Sequence, residues 1–150
     1  MQRPPYSYRD DPAVPAFPDD LPVVVFDGVC GMCSAFVRLL LAIDGTTERH
    51  RFISAQAPLG AALYRHYGRV PDETFLVLTD GRCRVKADAV LATFAGLGPA
   101  WSLPARAARL VPPRWADAAY NCVAKNRYRI WGGRDTCLRP PPGTEARFLA

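Results

Sequence analysis

The feature that most constrains the fold of this chain is an abrupt change of hydrophobic period near residue 30. Val23–Phe26 form a continuous apolar run that ends at Asp27 and Gly28, which is typical of a strand buried on both faces of a sheet. The apolar residues that follow have helical spacing instead, at Cys33, Phe36, Val37, Leu40 and Leu41. The sequence therefore predicts a buried strand that turns sharply into an amphipathic helix, with Gly45 as the helix stop.

The pattern beyond this helix indicates three more strands and two more helices. Asp80 and Gly81 separate two strand-like runs, and both central positions of a type I′ hairpin turn need the positive φ that such residues tolerate. The predicted elements are strand 23–26, a helix beginning at 30, strand 51–54, helix 57–68, strands 74–79 and 82–86, and helix 88–97. This order of strand, helix, strand, helix, strand, strand and helix predicts an α/β protein with a thioredoxin-like fold and additional C-terminal helices.

A length of 150 residues, of which 49% are hydrophobic and 22% charged, fits one globular domain. We predict an extended or disordered leader at residues 1–21, a single domain at 22–140 that includes helices near 101–110 and 114–131, and a tail at 141–150. The longest apolar stretch, residues 36–43, contains Arg38 and is too short to cross a bilayer. The first 21 residues lack the pattern of a signal peptide, so we expect no membrane insertion.

The positive charge of the chain is concentrated near its end. The formal net charge is +5, and residues 101–150 hold nine basic but only three acidic residues. Such a surface could attract acidic partners or nucleic acid, but the sequence contains no recognisable nucleic-acid-binding motif. We therefore expect no nucleic-acid partner.

The cysteines carry the strongest chemical signal. Five cysteines without an export signal indicate a reducing, cytoplasmic setting, in which a close pair is more often catalytic or metal-binding than structural. Cys30 and Cys33 form the one close pair, and the other three, Cys83, Cys122 and Cys137, are isolated. Cys83 and Cys122 are interpreted as small buried residues, and Cys137 as a loop cysteine that could exchange with Cys30.

The position of the pair between strand and helix suggests separate roles for its members. Unpaired amides and the helix dipole stabilise a thiolate at a helix start, so we expect Cys30 to have a lowered pKa and to be the attacking nucleophile. Cys33 heads the apolar stripe and is expected to be the shielded, resolving thiol. Asp27, three residues before Cys30, is either an acceptor for the Cys33 proton or a turn or capping residue, and both interpretations stay open.

Two functions from different classes fit the pair. The first is a thiol-disulfide oxidoreductase that reduces disulfides of proteins or small thiols, receives electrons from an unidentified donor, and has no cofactor beyond the Cys30/Cys33 dithiol. The second is a zinc-binding or protein-interaction module in which the two cysteines are metal ligands. A zinc site would need a second pair of ligands, and the sequence offers no obvious one. Cys122 lies in the predicted last helix, whereas Cys137 lies beyond it, toward the tail.

The segment Phe26-Asp27-Gly28-Val29-Cys30-Gly31-Met32-Cys33 resembles the signature of the DCC family, predicted thiol-disulfide oxidoreductases named for an Asp-Cys-Cys trio. In this chain the trio is Asp27, Cys30 and Cys33. Later segments at 57–60, 71–72, 86–89 and 124–129 also resemble the family, so that the resemblance covers roughly residues 22–140. It implies the same thioredoxin-like fold and a dithiol activity.

A few further residues bear on the site. Thioredoxin-fold enzymes usually carry a cis-proline before the third strand, and Pro71 either fills that place from a shifted position or is an ordinary turn residue. The predicted last helix carries an apolar stripe at Trp115, Ala119, Cys122, Val123 and Ile130. Asn126 interrupts this stripe and needs partners, whereas Arg127 and Tyr128 receive no role. We expect His50 and His66 at the surface.

Overall fold

The structure is a computed structural model that describes residues 7–28, 31–44, 49–70, 74–79, 81–131, 142 and 147–149. These residues form a short 3-10 helix at Tyr8–Asp10, five strands and five α-helices. In chain order these are β1 (Val23–Phe26), α1 (Gly31–Asp44), β2 (Arg51–Ser54), α2 (Pro58–Tyr67), β3 (Leu76–Thr79), β4 (Arg82–Val85), α3 (Lys86–Ala95), α4 (Pro99–Ala108), α5 (Pro113–Trp131) and β5 (Phe148–Leu149).

The strands form one mixed sheet in the order β4-β3-β1-β2-β5. β1 and β2 are parallel and are connected through α1, whereas β3 runs antiparallel to both β1 and β4. A helical crossover between parallel strands, followed by an antiparallel hairpin and a helix, is the thioredoxin-like arrangement. The predicted fold is therefore confirmed, including the additional C-terminal helices α4 and α5.

Local sequence explains the elements that place the site. All four residues of β1 are buried, because the strand lies at the centre of the sheet and helices cover both sides. The stripe predicted for α1 faces the core, with Val37 and Leu40 fully buried. Gly68 adopts the left-handed conformation (φ 62°) that ends α2, and Gly81 has a φ of 76° between the hairpin strands. Asp80 of the predicted turn lies outside the described residues.

The side chains of β1 alternate between two apolar clusters. We call the first the α1 face: Val24 and Phe26 pack there with residues of α1 and α3, and Tyr120 of α5 joins them. We call the second the α2 face: Val23 and Val25 pack there with α2 and with residues near the N-terminus. The α1 face carries the cysteine of the site.

Part of the segment predicted as a leader is packed on the α2 face. Tyr8 and Val14 are buried, and the Tyr8 ring stacks on Phe17 with ring centroids 5.3 Å apart. The Tyr8 backbone amide also donates a hydrogen bond to the Tyr67 hydroxyl at 3.2 Å. We call residues 7–20 the N-terminal arm, and these contacts give it a defined place against the sheet.

The sequence placed residues 141–150 in a tail, but Phe148 and Leu149 form β5, which is parallel to β2. A two-residue strand shows no hydrophobic period, so sequence pattern could not indicate it. Its position depends on the preceding Arg147, which donates to Asp44 of α1 at 2.6 Å. Both side chains of this ion pair are almost completely buried.

Two expectations about burial were wrong. His50 is fully buried, with Nδ1 3.4 Å from Asp44, and the His66 side chain is buried with Nδ1 2.5 Å from Asp11 of the N-terminal arm. A carboxylate faces each imidazole: Asp44 lies six positions from His50 in the chain, whereas Asp11 lies 55 positions from His66. Cys122 was expected to be buried but is exposed, whereas Tyr120, two residues earlier on α5, packs against the core.

Candidate active site

The site begins where β1 ends and α1 starts. Cys33 is the third residue of α1 and is only 9% exposed, within the α1-face cluster. Its predicted shielding is therefore confirmed. Cys30 and its expected role lie outside the described residues, but α1 begins at Gly31, so Cys30 immediately precedes the helix in the chain.

Asp27 is held in a buried position directly after β1. It is 2% exposed, and the Gln56 side-chain amide donates a hydrogen bond to its Oδ1 at 2.8 Å. The Gln56 side-chain oxygen in turn accepts from the Gly28 backbone amide at 2.9 Å and from the Ser54 hydroxyl at 2.9 Å. Gln56 therefore connects the ends of β1 and β2 and orients the Asp27 carboxyl group.

Sequence reasoning did not single out Gln56, although a signal was present. β1 and β2 were adjacent in the predicted fold, and parallel neighbouring strands end at the same edge of a sheet. Phe26 pairs with Ser54 in the observed register, which brings the residues that follow the two strands side by side. A search for polar residues just after β2 would have found Gln56.

Tyr64 supports the same end of the sheet from α2. Its hydroxyl donates to the Thr74 carbonyl at 2.8 Å. Burial raises the pKa of Tyr64, and its electrostatic interactions with Cys33, Tyr120 and Asp27 raise it further. The hydroxyl therefore stays protonated and continues to hold the segment before β3.

That segment contributes an aromatic wall beside Cys33. The Phe75 ring lies 5.5 Å from the Phe36 ring and 6.2 Å from the Tyr120 ring, measured between centroids. The Phe75 backbone amide donates to the Tyr120 hydroxyl at 3.4 Å, which ties α5 to the wall. With Phe26 and Phe94, these rings line an apolar cavity of about 420 Å³ that reaches Cys33. Sequence periodicity suggested apolar contacts but did not indicate this enclosure.

The other cysteines differ in accessibility and chemistry. Cys83 was expected to be buried and is only half-buried against the α2 face, and burial raises its pKa to about 12. Cys122 is exposed on α5. Asn126, predicted to need a partner, donates to the Cys122 carbonyl at 2.8 Å within the same helix.

Several predicted candidates fall where the structure gives no information. Pro71 and Cys137 lie outside the described residues, as do the side chains of Arg127 and Tyr128. Among the residues that are described, no three His, Cys, Asp or Glu side chains come together as metal ligands. None of the described helices has both the length and the apolar character needed to cross a membrane.

A thioredoxin-like sheet with a buried cysteine in the first turn of its crossover helix is the arrangement expected of a thiol-based redox protein. Comparison with protein families identifies the class further. Residues 24–133 match the DCC1-like thiol-disulfide oxidoreductase family, and the chain belongs to this family. Its general role is accordingly that of a thiol-disulfide oxidoreductase.

Similar proteins occur in a bacterium and a plant. The chain is 32% identical over 129 residues to the "Uncharacterized protein YuxK" of Bacillus subtilis, covering 85% of this chain and 93% of the relative. It is 30% identical over 121 residues to the "DCC family protein At1g52590, chloroplastic" of Arabidopsis thaliana, covering 79% of this chain and 70% of the relative. No solved structure matches the chain significantly.

Proposed function

We propose that this protein is a disulfide reductase that works through a Cys30/Cys33 dithiol. The observation that carries the proposal is the position of Cys33, which is buried in the first turn of the helix that begins one residue after Cys30. Residues three apart at a helix start are near neighbours, so a disulfide between them needs only small adjustment. The family to which the chain belongs supports the same chemistry.

In the proposed reaction the Cys30 thiolate attacks one sulfur of a substrate disulfide. A mixed disulfide forms, and the first substrate thiolate leaves with the electron pair of the broken S–S bond. The Cys33 thiolate then attacks the Cys30 sulfur, which forms the Cys30–Cys33 disulfide and releases the second substrate thiolate. The protein loses two electrons, the substrate gains them, and an external thiol donor restores the dithiol.

The burial of Cys33 suits the resolving role, because a shielded thiol reacts with its neighbour rather than with molecules in solution. Asp27 is proposed to accept the Cys33 proton during resolution, either directly or through a water molecule. Its support is its buried place after β1, where Gln56 orients the carboxyl group. The proposed setting is the cytoplasm, with protein or small-thiol disulfides as substrates and no further cofactor.

The test is to equilibrate the protein in glutathione buffers of graded potential, alkylate the free thiols, and identify the disulfides by mass spectrometry. A reversible Cys30–Cys33 disulfide with a midpoint between about −120 and −270 mV is expected for a working dithiol. A pair that never forms, or a disulfide found only with Cys137, would refute the proposed mechanism.

Three variants separate the proposed roles in the same assay. Cys30→Ser abolishes exchange, Cys33→Ser accumulates mixed disulfides on Cys30, and Asp27→Asn lengthens the lifetime of the mixed disulfide without preventing its formation. Cys122→Ser is the matched control, because Cys122 is exposed and distant from the start of α1 in sequence. Mixed disulfides that accumulate on Cys33 in the Cys30→Ser protein would instead show that the two roles are reversed.

A further inference from the structure

The apolar cavity beside Cys33 has the size and boundaries of a ligand pocket. Its volume of about 420 Å³ falls within the range of small-molecule sites. Elements from across the fold contribute to it: the end of β1, α1, the segment before β3, α3 and α5. The described residues that line it are Phe26, Cys33, Phe36, Phe75, Val90, Phe94, Ala119, Tyr120 and Val123.

The chemistry of this lining limits what the pocket can hold. None of the described lining residues has a charged side chain. Among their side chains, only the Cys33 thiol and the Tyr120 hydroxyl contain an atom other than carbon and hydrogen. The Tyr120 hydroxyl already accepts a hydrogen bond from the Phe75 amide. A charged group placed here would lose its hydration without compensation, whereas an aromatic or branched aliphatic group would gain from burial.

The pocket is accessible from α5. Ala119 and Val123 belong to its lining, yet both are exposed, and Val123 retains 44% of its surface. They therefore form the rim, while Cys33, at 9% exposure, lies in the inner wall. A group that enters past the rim approaches the proposed resolving thiol.

We propose that this cavity is a substrate pocket for disulfides that carry an aromatic or branched aliphatic group next to the sulfur. The inference rests on the proposed dithiol function, which supplies the reason for a disulfide at this place. The apolar group occupies the pocket, and the attached disulfide is thereby held on the side of the protein where Cys33 lies, for the exchange described above. Glutathione disulfide, which carries several charges, gains nothing from this pocket.

The experiment compares two substrates that differ only beside the cysteine. These are the disulfide dimers of N-acetyl-Phe-Cys amide and N-acetyl-Ser-Cys amide, and each oxidises the fully reduced protein under single-turnover conditions. Dithiothreitol without protein supplies the intrinsic reactivity of each peptide, and the protein rates are divided by it. Because burial of a phenyl side chain is favourable, the normalised rate for the Phe peptide should exceed that for the Ser peptide by at least about tenfold.

Variants at the rim test whether the pocket causes this preference. Val123→Asp places a charge at the entrance, and Ala119→Leu extends an apolar side chain over it. Each should reduce the preference to about twofold or less. Val111→Asp is the matched control, because Val111 is 45% exposed and does not belong to the described lining. This control should retain the full preference.

The outcomes distinguish the inference from the function on which it rests. A wild-type ratio near one, with both peptides oxidising the dithiol, would overturn the substrate class but leave the dithiol function standing. A high ratio that Val123→Asp and Ala119→Leu both preserve would place the preference elsewhere and also overturn the inference. Failure of both peptides, and of glutathione disulfide, to oxidise the Cys30/Cys33 pair would overturn the proposed function itself.

Discussion

The two faces of the sheet share β1 but are completed in different ways. On the α2 face the N-terminal arm packs over the helix and the strands, and several of its polar groups are paired, although a smaller cavity of about 270 Å³ remains among the arm's own residues. The Tyr8 hydroxyl donates to Asp19 at 2.8 Å, and His66 of α2 lies 2.5 Å from Asp11 of the arm. On the α1 face, a cavity of about 420 Å³ remains between the helices and reaches Cys33.

We expect this difference to separate the stability of the fold from the proposed reactivity. Side chains that fill their surroundings contribute both burial and dispersion contacts, whereas those that line a cavity lose contacts on one side. We therefore expect the α2 face to contribute more stability for each buried side chain. The α1 face retains apolar space beside its thiol, which a substrate group can fill.

The largest expected effect comes from a truncation on the α2 face, at a residue that does not line the arm's cavity. Leu63 of α2 is fully buried, so Leu63→Ala should lower the free energy of unfolding by about 2–5 kcal/mol. Val90 of α3 is half-buried in the cavity wall, so Val90→Ala should lower it by less than about 1 kcal/mol.

The free energies of unfolding of Leu63→Ala and Val90→Ala are measured by urea denaturation. The comparison is valid when the dependence of the unfolding free energy on urea concentration is the same for both variants. Both residues lie in helices, and the one additional methylene removed from Leu63 accounts for only about 0.8 kcal/mol of the gap. Equal losses from the two variants would contradict the comparison, because they would show that the α1 face is packed as tightly as the α2 face.

A smaller effect is expected in the pH dependence of stability. It comes from His50, which lies beside Asp44 of α1. Burial lowers the pKa of His50, and the attraction of Asp44 only partly opposes this. The unfolded chain therefore binds a proton at His50 near pH 6.5 and the folded chain does so only at lower pH, so stability falls as pH drops below about 6.5. His50→Gln should flatten this fall.

The measurement is the urea unfolding midpoint at pH 7.5 and pH 5.5. His66→Gln is the matched control, since the chain has only two histidines and His66 belongs to the α2 face. The control should keep the pH dependence that His50 causes. A slope that persists in the His50→Gln protein and disappears in the control would contradict the assignment.

The smallest expected effect is at Cys83, the cysteine that packs against the α2 face. Because burial raises the pKa of Cys83 to about 12, its thiol stays protonated at neutral pH and is unreactive. Cys83→Ala should change the exchange rate by less than about twofold and the unfolding free energy by less than about 1 kcal/mol. Rates with glutathione disulfide and urea unfolding provide the two readouts, and a clear loss of exchange would show that reactivity is not confined to the α1 face.

Sequence reasoning succeeded where a local pattern has one structural solution. The change of period near residue 30 correctly placed β1 and α1, and the Asp80-Gly81 pair correctly placed the β3–β4 hairpin. It failed for His50, because nothing local shows that Asp44 and Arg147 meet beside it. Arg147 lies 103 positions from Asp44 in the chain, so no periodicity connects the two residues.

The candidate site divides in the same way. Asp27, Cys30 and Cys33 could be chosen from the sequence, because the end of a buried strand and the start of an amphipathic helix are both visible as local patterns. Gln56, Phe75 and Tyr120 could not be placed beside them from periodicity alone. Each comes from a different segment, and only the sheet register and helix packing bring the three to the same end of the molecule.

By itself, the sequence determined the order of the elements from β1 to α5, the shielding of Cys33 and the general thiol chemistry of the site, since these depend on neighbours within a few residues. The tertiary structure decided how each face of the sheet is covered, which elements enclose the cavity beside Cys33, where the buried Asp44–Arg147 pair lies, and which aromatic rings surround the thiol. The physical reason is that packing and charge pairing depend on distances in space. Those distances are set by the sheet order and by the helices that cross it.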